Sequence, residues 1–344
     1  MIELGDVKAP EPSPGHGQPP WEDPDWLAAV DEWITDSCAT AGLTRTGPGQ
    51  ARCRMYSVVV RVPVVGGQVW FKANPPASAF EPALGHALSR WRPQDAPAVL
   101  AVCLDRAWSL TRDLGARLDH LLADDPDIQH WLTPLQRYAR LQIHLSTRQP
   151  ELAALGLPDH RPHVLADTAE AMFADPGLIE AVGTPDGPSP DEFAAARDRL
   201  PILREQCTEL DSLGIPTSVD HSDLHAGNIL GSGDDARPFD WGDAVLGHPF
   251  GSLLIVLRSA PESCGLPIFG PAIAELRDAY LAPWIAEGID PDKALRAVDL
   301  ALSASVLARA QAWGRVFPCF SANLEPRANT ARWLTRIAVS DPLD

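Results

Sequence analysis

The ten residues HSDLHAGNIL, at positions 221–230, combine two histidines, an aspartate and an asparagine with an apolar end. Asn228 follows Asp223 by five residues, and Asp240 stands ten residues beyond Leu230 in the segment FDWGDA. Asparagine and aspartate offer the oxygen ligands that hold Mg²⁺ jointly with substrate phosphates. An aspartate upstream of them can accept a proton from a hydroxyl group. This combination predicts phosphoryl transfer, which needs two metal ligands, one base and little other protein chemistry.

The segment between these two motifs predicts a hairpin. The sequence GSGDDA is typical of a turn. Short strands around Asn228–Leu230 and Arg237–Asp240 would pair on its two sides. Such a hairpin would bring Asn228 and Asp240 close together.

A second candidate group lies earlier in the chain, where YSVVVRVPVV and QVWFKA predict a hairpin with a two-glycine turn. Lys72 ends the second of these strands, and the only other lysines are Lys8 and Lys293. An ammonium group serves phosphate as a point charge, whereas a planar guanidinium has a different geometry. The next predicted helix begins FEPAL, so Glu81 is the natural ion-pair partner of Lys72.

These residues lie in two regions of different character, a small β-rich lobe and a larger helical lobe. Residues 1–23 are rich in proline and glycine, so we expect a disordered tail. Residues 24–112 predict a helix capped by the preceding aspartate, then mostly sheet with one further helix. Residues 113–344 predict long amphipathic helices and a short sheet insert. Within them we expect a proline-broken loop at about 149–162 and a helix kinked at Pro201.

Composition narrows the classes of function. The net charge of −18 argues against a nucleic-acid partner and allows a cationic ligand, although it also serves solubility. The six cysteines have no regular spacing, which favours reduced thiols over a disulfide framework or a zinc site. No apolar run reaches the roughly 18 residues of a spanning helix, and the N-terminus lacks the pattern of a signal peptide. We expect a cytoplasmic monomer or homodimer with no membrane partner.

The order H-x-D-x-x-x-x-N and then D-aromatic-G is the protein-kinase pattern, with Trp241 in place of phenylalanine. With WFKA, FEPAL and WSLTRDLG, these motifs resemble the aminoglycoside phosphotransferase family, small-molecule kinases of the protein-kinase-like fold. The resemblance spans roughly residues 26–333 and is tight only at the motifs. It implies a two-lobed α+β fold, with an antiparallel-sheet N-lobe that binds nucleotide and a helical C-lobe that holds the catalytic and acceptor-binding residues.

Matched residue by residue, the resemblance implies ATP and Mg²⁺ as cofactors and a small-molecule hydroxyl as acceptor. Asp223 would be the catalytic aspartate. Asn228 and Asp240 would hold Mg²⁺, and Lys72 with Glu81 would organise the phosphates.

The resemblance also implies that the backbone near Asp113 and Leu114 reads the adenine. The chain departs from the kinase pattern at its first hairpin, ARCRMYS, which has no glycine-rich cover for the phosphates. Ser57 and nearby backbone N–H groups would substitute for that cover. The triplet at residues 260–262, Ala-Pro-Glu, also occurs in protein kinases, but the apolar segment before it is no activation loop. No platform for a peptide substrate is evident.

Each candidate has a structural alternative. The aspartates and Asn228 could serve as turn or capping residues. Lys72 could be a surface lysine at a strand end, and Glu81 could merely favour the dipole of its helix. Three neighbours of the motifs are expected to be structural: His221, His225 and Asp243.

The sequence leaves the identity of the acceptor molecule open. The acidic helical lobe favours a cationic acceptor such as an aminoglycoside or amino sugar. A metabolic kinase of a neutral sugar or amino alcohol is compatible with the same residues. A non-catalytic pseudokinase is the competing class, and the presence of Lys72, Asp223, Asn228 and Asp240 together argues against it.

Overall fold

The structure is a computed structural model that describes residues 1–8, 20–54, 56–316, 324–339 and 341–343. The chain divides into two compact units. The first comprises Met1–Gly115 and Arg315–Asn323, and the second comprises Ala116–Gly314 and Leu324–Asp344. The first is built on a sheet and the second is mostly helical, so the predicted two-lobed α+β class is confirmed.

Among the described residues, a six-stranded sheet and two complete helices make up the first unit. The strands are β1 Ile2–Lys8, β2 Gly49–Arg54, β3 Ser57–Val64, β4 Gly67–Ala73, β5 Val99–Cys103 and β6 Trp108–Arg112. Their spatial order is β1-β2-β3-β4-β6-β5. β1 is parallel to β2, and every other neighbouring pair is antiparallel. The helices are α1 Pro24–Thr40 and α2 Glu81–Trp91.

The β3–β4 hairpin follows from the alternation of its side chains. Val58, Val60 and Val62 are buried, and the residues between them are half-buried or exposed. Gly66 and Gly67 form the turn with φ of 84° and 156°, a region that favours glycine. The hairpin predicted from the sequence is therefore confirmed.

Helix α1 begins where the sequence predicts. Oδ1 of Asp23 accepts a hydrogen bond from the backbone N of Asp25 at 2.8 Å, and Pro24 occupies the first helical position. Val30 and Ile34 are fully buried in the same core cluster as the strand side chains. The amphipathic face of α1 thus covers the sheet.

The start of the chain differs from the prediction of a disordered tail over residues 1–23. β1 pairs with β2 there, with Ile2 opposite Gly49. The proline enrichment begins only at Pro10, so nothing in the preceding segment prevents strand pairing. This corrects the prediction for β1, while residues 9–19 lie outside the described residues.

The second unit contains eleven helices and five short strands among its described residues. The helices are α3 Leu118–Asp124, α4 Gln129–Ser146, α5 Gln149–Ala154, α6 Pro162–Phe173, α7 Pro176–Ile179, α8 Pro190–Asp198, α9 Leu200–Ser212, α10 Leu253–Ser263, α11 Pro271–Ala286, α12 Pro291–Val316, whose last two residues fall in the first unit, and α13 Leu324–Thr335. The strands are β7 Asp159–His160, β8 Ser218–Asp220, β9 Ile229–Leu230, β10 Arg237–Pro238 and β11 Val245–Gly247. β9 pairs with β10, and β11 lies between β7 and β8.

Two prolines account for differences from the sequence prediction. The helix expected to kink at Pro201 is two helices, because α8 ends at Asp198 and Pro201 lies in the first turn of α9. Proline suits a first turn, whereas its ring would clash with the preceding turn of a continuous helix. Pro150 likewise lies in the first turn of α5, within the segment predicted as loop.

The regular elements that the structure describes after Pro249 are all helices, as predicted. Ala260, Pro261 and Glu262 lie inside α10 rather than in an extended loop. This placement supports the interpretation that no activation loop follows the FDWGDA motif.

None of the helices that the structure describes combines the length and hydrophobicity that a bilayer crossing requires. The cysteines in the described part of the chain are free thiols: Cys38, Cys53, Cys103, Cys207 and Cys264.

Candidate active site

The motif HSDLHAGN forms a loop that leaves β8 and leads into β9. Oδ1 of Asp220 accepts hydrogen bonds from the backbone N of Ser222 at 2.8 Å and from Oγ of Ser252 at 2.6 Å. In this tight turn Ser222 has a φ of 60°, which side-chain-bearing residues seldom adopt. Burial raises the pKa of Asp220 to about 6.

A buried polar network supports this loop from below. The hydroxyl of Tyr138, on α4, lies 2.7 Å from Oγ of Ser252 and accepts from the backbone N of His221 at 3.0 Å. Nε2 of Gln142 donates to two backbone carbonyl oxygens at 2.8 and 2.9 Å. Tyr280, on α11, donates its hydroxyl to Oε1 of Gln142 at 2.5 Å. A connected buried network of this kind favours one loop geometry.

His221 links the loop to the FDWGDA motif. Its Nε2 lies 2.9 Å from the carbonyl oxygen of Phe239, and its ring packs against that of Trp241 with the ring centroids 4.6 Å apart and the planes tilted by 44°. Burial lowers the pKa of His221, so the ring is neutral. A carbonyl can only accept, so Nε2 carries the proton. These contacts favour the structural interpretation of His221.

Asp223 is held through its backbone and its side chain. Its carbonyl oxygen accepts from Nδ2 of Asn228 at 2.9 Å. Its Oδ1 lies 3.0 Å from Nη2 of Arg309, whose Nη1 lies 2.6 Å from Oδ2 of Asp243. Burial raises the pKa of the Asp223 carboxyl, and the positive charge of Arg309 opposes that rise. The side chain is 25% exposed, so part of the carboxyl group is accessible from solvent.

The hairpin predicted between the two motifs is present. Pro238 pairs with Ile229, and the backbone N of Phe239 donates to the carbonyl oxygen of Asn228 at 3.0 Å. Asp240 therefore follows directly after the residue that faces Asn228. Its backbone is left-handed, with φ 64° and ψ 62°. The structure thus brings the two predicted metal ligands to one end of one hairpin.

The donor set fits a divalent cation of the magnesium type. Nδ2 of Asn228 is engaged with Asp223, which leaves the amide Oδ1 as the atom that can face a cation. This oxygen and the carboxylate of Asp240 are hard donors. Among the described residues, no group of three or more histidine, cysteine, aspartate or glutamate side chains could hold a metal alone. The site therefore suits a metal that takes its remaining ligands from phosphate and water.

His225 supports the loop. Its Nδ1 accepts from the backbone N of Gly227 at 3.1 Å, and its Nε2 lies 3.8 Å from Oδ2 of Asp223. A Cβ atom at Gly227 would lie 2.8 Å from Cε1 of His225, so a larger residue there would displace the histidine ring. The contacts agree with the prediction that His225 is structural.

The sequence did not identify Arg309 and predicted only a structural role for Asp243. A signal for the arginine exists, because it is the one charged residue from Leu300 through Gly314. A lone arginine in a helical run of small apolar residues must be paired or must extend to solvent. Its partners, however, are far away in the sequence.

Lys72 and Glu81 meet in the first unit. Lys72 lies on β4 opposite Val59 of β3, and Glu81 is the first residue of α2. Nζ of Lys72 is 2.8 and 2.6 Å from the two carboxylate oxygens of Glu81. Their side chains are only 19% and 10% exposed, so the pair holds the ammonium group in place. The predicted ion pair is present.

The other nucleotide candidates lie in the same unit. Ser57 is buried at the start of β3. The carboxylate of Asp113 accepts from Nε2 of Gln68 at 3.1 Å and from Nε1 of Trp70 at 2.8 Å. Leu114 follows, half-buried, at the end of this part of the unit. The side chain of Asp113 is thus used within the sheet, which leaves any nucleotide contact to the backbone.

No family model and no curated protein sequence matches the chain. Solved structures do match. An ethanolamine kinase from Plasmodium vivax is 13% identical, over 92% of this chain and 89% of that one, with a TM-score of 0.58. The amicoumacin kinase hAmiN, in complex with AMP-PNP, Ca²⁺ and Ami, is 15% identical over 93% and 97%, with a TM-score of 0.56. The complex of APH(2")-IIia with GDP and kanamycin is 13% identical over 88% and 97%, with a TM-score of 0.52.

At these identities the similarity establishes the fold alone. The chain has the two-lobed fold of these small-molecule kinases, which confirms the predicted protein-kinase-like fold. The resemblance to aminoglycoside phosphotransferases is confirmed at the same level. The roles of the individual site residues stay predictions.

Proposed function

We propose that the protein transfers the γ-phosphoryl group of ATP, with Mg²⁺, to a hydroxyl group of a small molecule. The observation that carries this proposal is the placement of Asp223, Asn228 and Asp240 on one supported loop and hairpin. The shared fold supports it, because the similar structures are described as ethanolamine, amicoumacin and macrolide kinases or phosphotransferases.

Asp223 would orient the acceptor hydroxyl and take its proton. As the acceptor oxygen bonds to the γ-phosphorus, the bond from that phosphorus to the β–γ bridging oxygen breaks and ADP leaves. A carboxylate already held by an ion pair with Arg309 needs little reorganisation to do this.

Asn228 and Asp240 would hold the metal. A bound Mg²⁺ supplies positive charge that stabilises the phosphate oxygens. The loop contributes by fixing the Asn228 amide, because its Nδ2 is tied to the carbonyl oxygen of Asp223 and its Oδ1 is thereby oriented.

Lys72, fixed by Glu81, would contact the α- and β-phosphates. Backbone N–H groups near Ser57 would cover the phosphates in place of a glycine-rich loop. The backbone near Asp113 and Leu114 would bind the base. The similar structures contain AMP-PNP in one case and GDP in another, so both ATP and GTP belong in the test.

We propose a cationic acceptor, such as an aminoglycoside, an amino sugar or an amino alcohol. The net charge of −18 favours the approach of a cation. Ethanolamine, choline and kanamycin, which the descriptions of similar structures name, all carry a cationic nitrogen and a hydroxyl group. A kinase of a neutral sugar is the second candidate, because phosphoryl transfer to a hydroxyl group needs the same residues whether or not the acceptor carries a charge.

The test is nucleotide turnover across a panel of aminoglycosides, amino sugars, amino alcohols and neutral sugars. We expect acceptor-dependent turnover that Asp223→Ala lowers by roughly 10²-fold or more. Asp234→Ala is the matched control, because Asp234 is an exposed aspartate in the turn of the same hairpin. Nucleotide binding without turnover for any acceptor would favour a pseudokinase, and absence of nucleotide binding would refute the proposal.

A further inference from the structure

We propose that Arg309 is a positioning residue, which holds the carboxylate of Asp223 in the orientation that phosphoryl transfer needs. The inference rests on the proposed function, because it assigns Arg309 a task at the same aspartate. One guanidinium on α12 contacts two carboxylates at once, those of Asp223 at 3.0 Å and Asp243 at 2.6 Å. The side chain of Arg309 is only 14% exposed, so this is not a loose surface pair.

The guanidinium divides its two terminal nitrogens between the carboxylates. Nη2 faces Oδ1 of Asp223, and Nη1 donates to Oδ2 of Asp243. Because a guanidinium is planar and its N–H groups form a rigid fork, the position of one carboxylate constrains the other. Asp243 thereby anchors the fork, and the fork orients Asp223. A lysine ammonium, as a point charge on a flexible stem, would not transmit this orientation.

The ion pair gives the two carboxylate oxygens of Asp223 different surroundings. Oδ1 faces Arg309. Oδ2 lies 3.8 Å from Nε2 of His225, which is beyond hydrogen-bond distance. We therefore assign Oδ2 as the oxygen that takes the proton of the acceptor hydroxyl. Arg309 opposes rotation of the carboxylate that would exchange the two oxygens.

The loop itself offers no guanidinium for this purpose. In protein kinases the residue before the catalytic aspartate is an arginine, whereas here it is Ser222. Among the described residues, the basic side chains that contact Asp223 or Asp243 are those of His225 and Arg309. Without Arg309, the two carboxylates would lie together in a partly buried site with only the histidine beside them. Helix α12 thus brings in the compensating charge.

A purely structural role is the alternative. Ser305 and Ala308, on α12, line the same small cavity as Asp220, so the helix packs directly beneath the loop. If Arg309 only anchored α12, its loss would lower stability and substrate binding together with turnover. A positioning role instead predicts a loss concentrated in kcat.

The experiment compares Arg309→Met and Arg309→Lys with the wild type, using the best acceptor from the panel. Arg309→Met is expected to lower kcat by about 10²-fold, the cost of misplacing a reacting group, and to change both KM values less than about threefold. Arg309→Lys should recover part of kcat, because it restores the charge without the fork. Arg296→Met is the matched control, since Arg296 lies on the same helix and pairs with Glu209 at the surface.

Two outcomes would overturn the positioning role. One is a kcat within about twofold of wild type in both Arg309 variants, which corresponds to almost no change in the activation barrier. The other is a parallel loss of melting temperature, nucleotide affinity and kcat. If Arg309→Met does not fold, Arg309→Lys decides, because it keeps the charge that offsets the buried carboxylates. Failure of this inference alone leaves wild-type turnover and its loss in Asp223→Ala intact, whereas failure of the proposed function removes wild-type turnover itself.

Discussion

The two units place a cation beside carboxylates in different ways. In the first unit Lys72 pairs with Glu81, nine residues further along the chain. In the second, Arg309 bridges Asp223 and Asp243, and the latter is 66 residues away. The first pair needs only a strand and the helix after it. The second needs a hairpin, a loop and a distant helix to be in place together.

The two groups of side chains also differ in net charge. The Lys72–Glu81 pair is neutral, whereas Arg309 carries one positive charge against two carboxylates. The second unit therefore keeps an excess of negative charge at its candidate site, as expected where a metal cation binds.

The largest effect on activity is expected from substitutions in the Lys72–Glu81 pair of the first unit. Lys72→Met should lower kcat/KM by about 10²- to 10³-fold, because a preorganised cation aimed at the phosphates is lost. Glu81→Gln should have a smaller effect, since it leaves the ammonium present and removes only its anchor. Steady-state kinetics with the best acceptor measure both. Equal rates for Lys72→Met and wild type would mean that the first unit does not use this lysine for the nucleotide.

The free energy of unfolding is expected to depend strongly on pH through Asp220, which is buried beneath the HSDLHAGN loop of the second unit. The pKa of Asp220 is about 6 in the folded protein against an ordinary 3.8, so between these values the folded state binds the proton that the unfolded chain has lost. Stability from this group is therefore greatest at low pH and falls as pH rises through 6. Across that window the loss is about 3 kcal/mol.

Asp220→Asn should remove this dependence. Its free energy of unfolding should fall less than that of the wild type between pH 4 and pH 7, as measured by urea denaturation at several pH values. Parallel curves for the two proteins would show that Asp220 titrates normally, and the burial argument for the loop would fail.

Because the residues beneath the loop are closely packed, a side chain added at Gly251 is expected to lower the stability of the protein. A Cβ atom at Gly251 would lie 2.3 Å from Oδ2 of Asp220 and 2.5 Å from Oγ of Ser305. Gly251→Ala should therefore destabilise the protein by about 2 kcal/mol, as overpacked cores do. Gly85→Ala is the matched control in the first unit, because its Cβ would make only an ordinary contact of 3.7 Å with Val99. Thermal unfolding should show a lowered midpoint for the first variant and an unchanged or raised one for the second.

The smallest effect is expected at Ser222. Its φ of 60° strains a residue with a side chain, and glycine would relieve that strain. Glycine also loses more conformational freedom on folding, so the net gain from Ser222→Gly should be about 0.5 kcal/mol. Chemical denaturation of this variant beside wild type measures it. A destabilised variant would indicate that the serine side chain contributes more to the loop than the strain costs.

Local patterns were the most predictable part of the fold. The β3–β4 hairpin, the capped start of α1 and the β9–β10 hairpin depend on residues that are neighbours in the chain. The prediction erred at β1, which pairs with a strand more than forty residues away, and at Pro201, which separates α8 from α9. Pairing with a distant partner leaves little trace in local composition.

In the candidate site, too, local features could be predicted and contacts between distant residues could not. The sequence by itself determined the spacing of Asp223, Asn228 and Asp240 and the proximity of Lys72 to Glu81, because a hairpin and a strand–helix connection constrain such residues locally. Only the tertiary structure decided which cation faces Asp223, because Arg309 lies about 86 residues further along the chain, on a distant helix. The tertiary structure also decided how deeply the carboxylates of the site are buried. A carboxylate acquires a shifted pKa or a fixed orientation only once distant elements have excluded water around it.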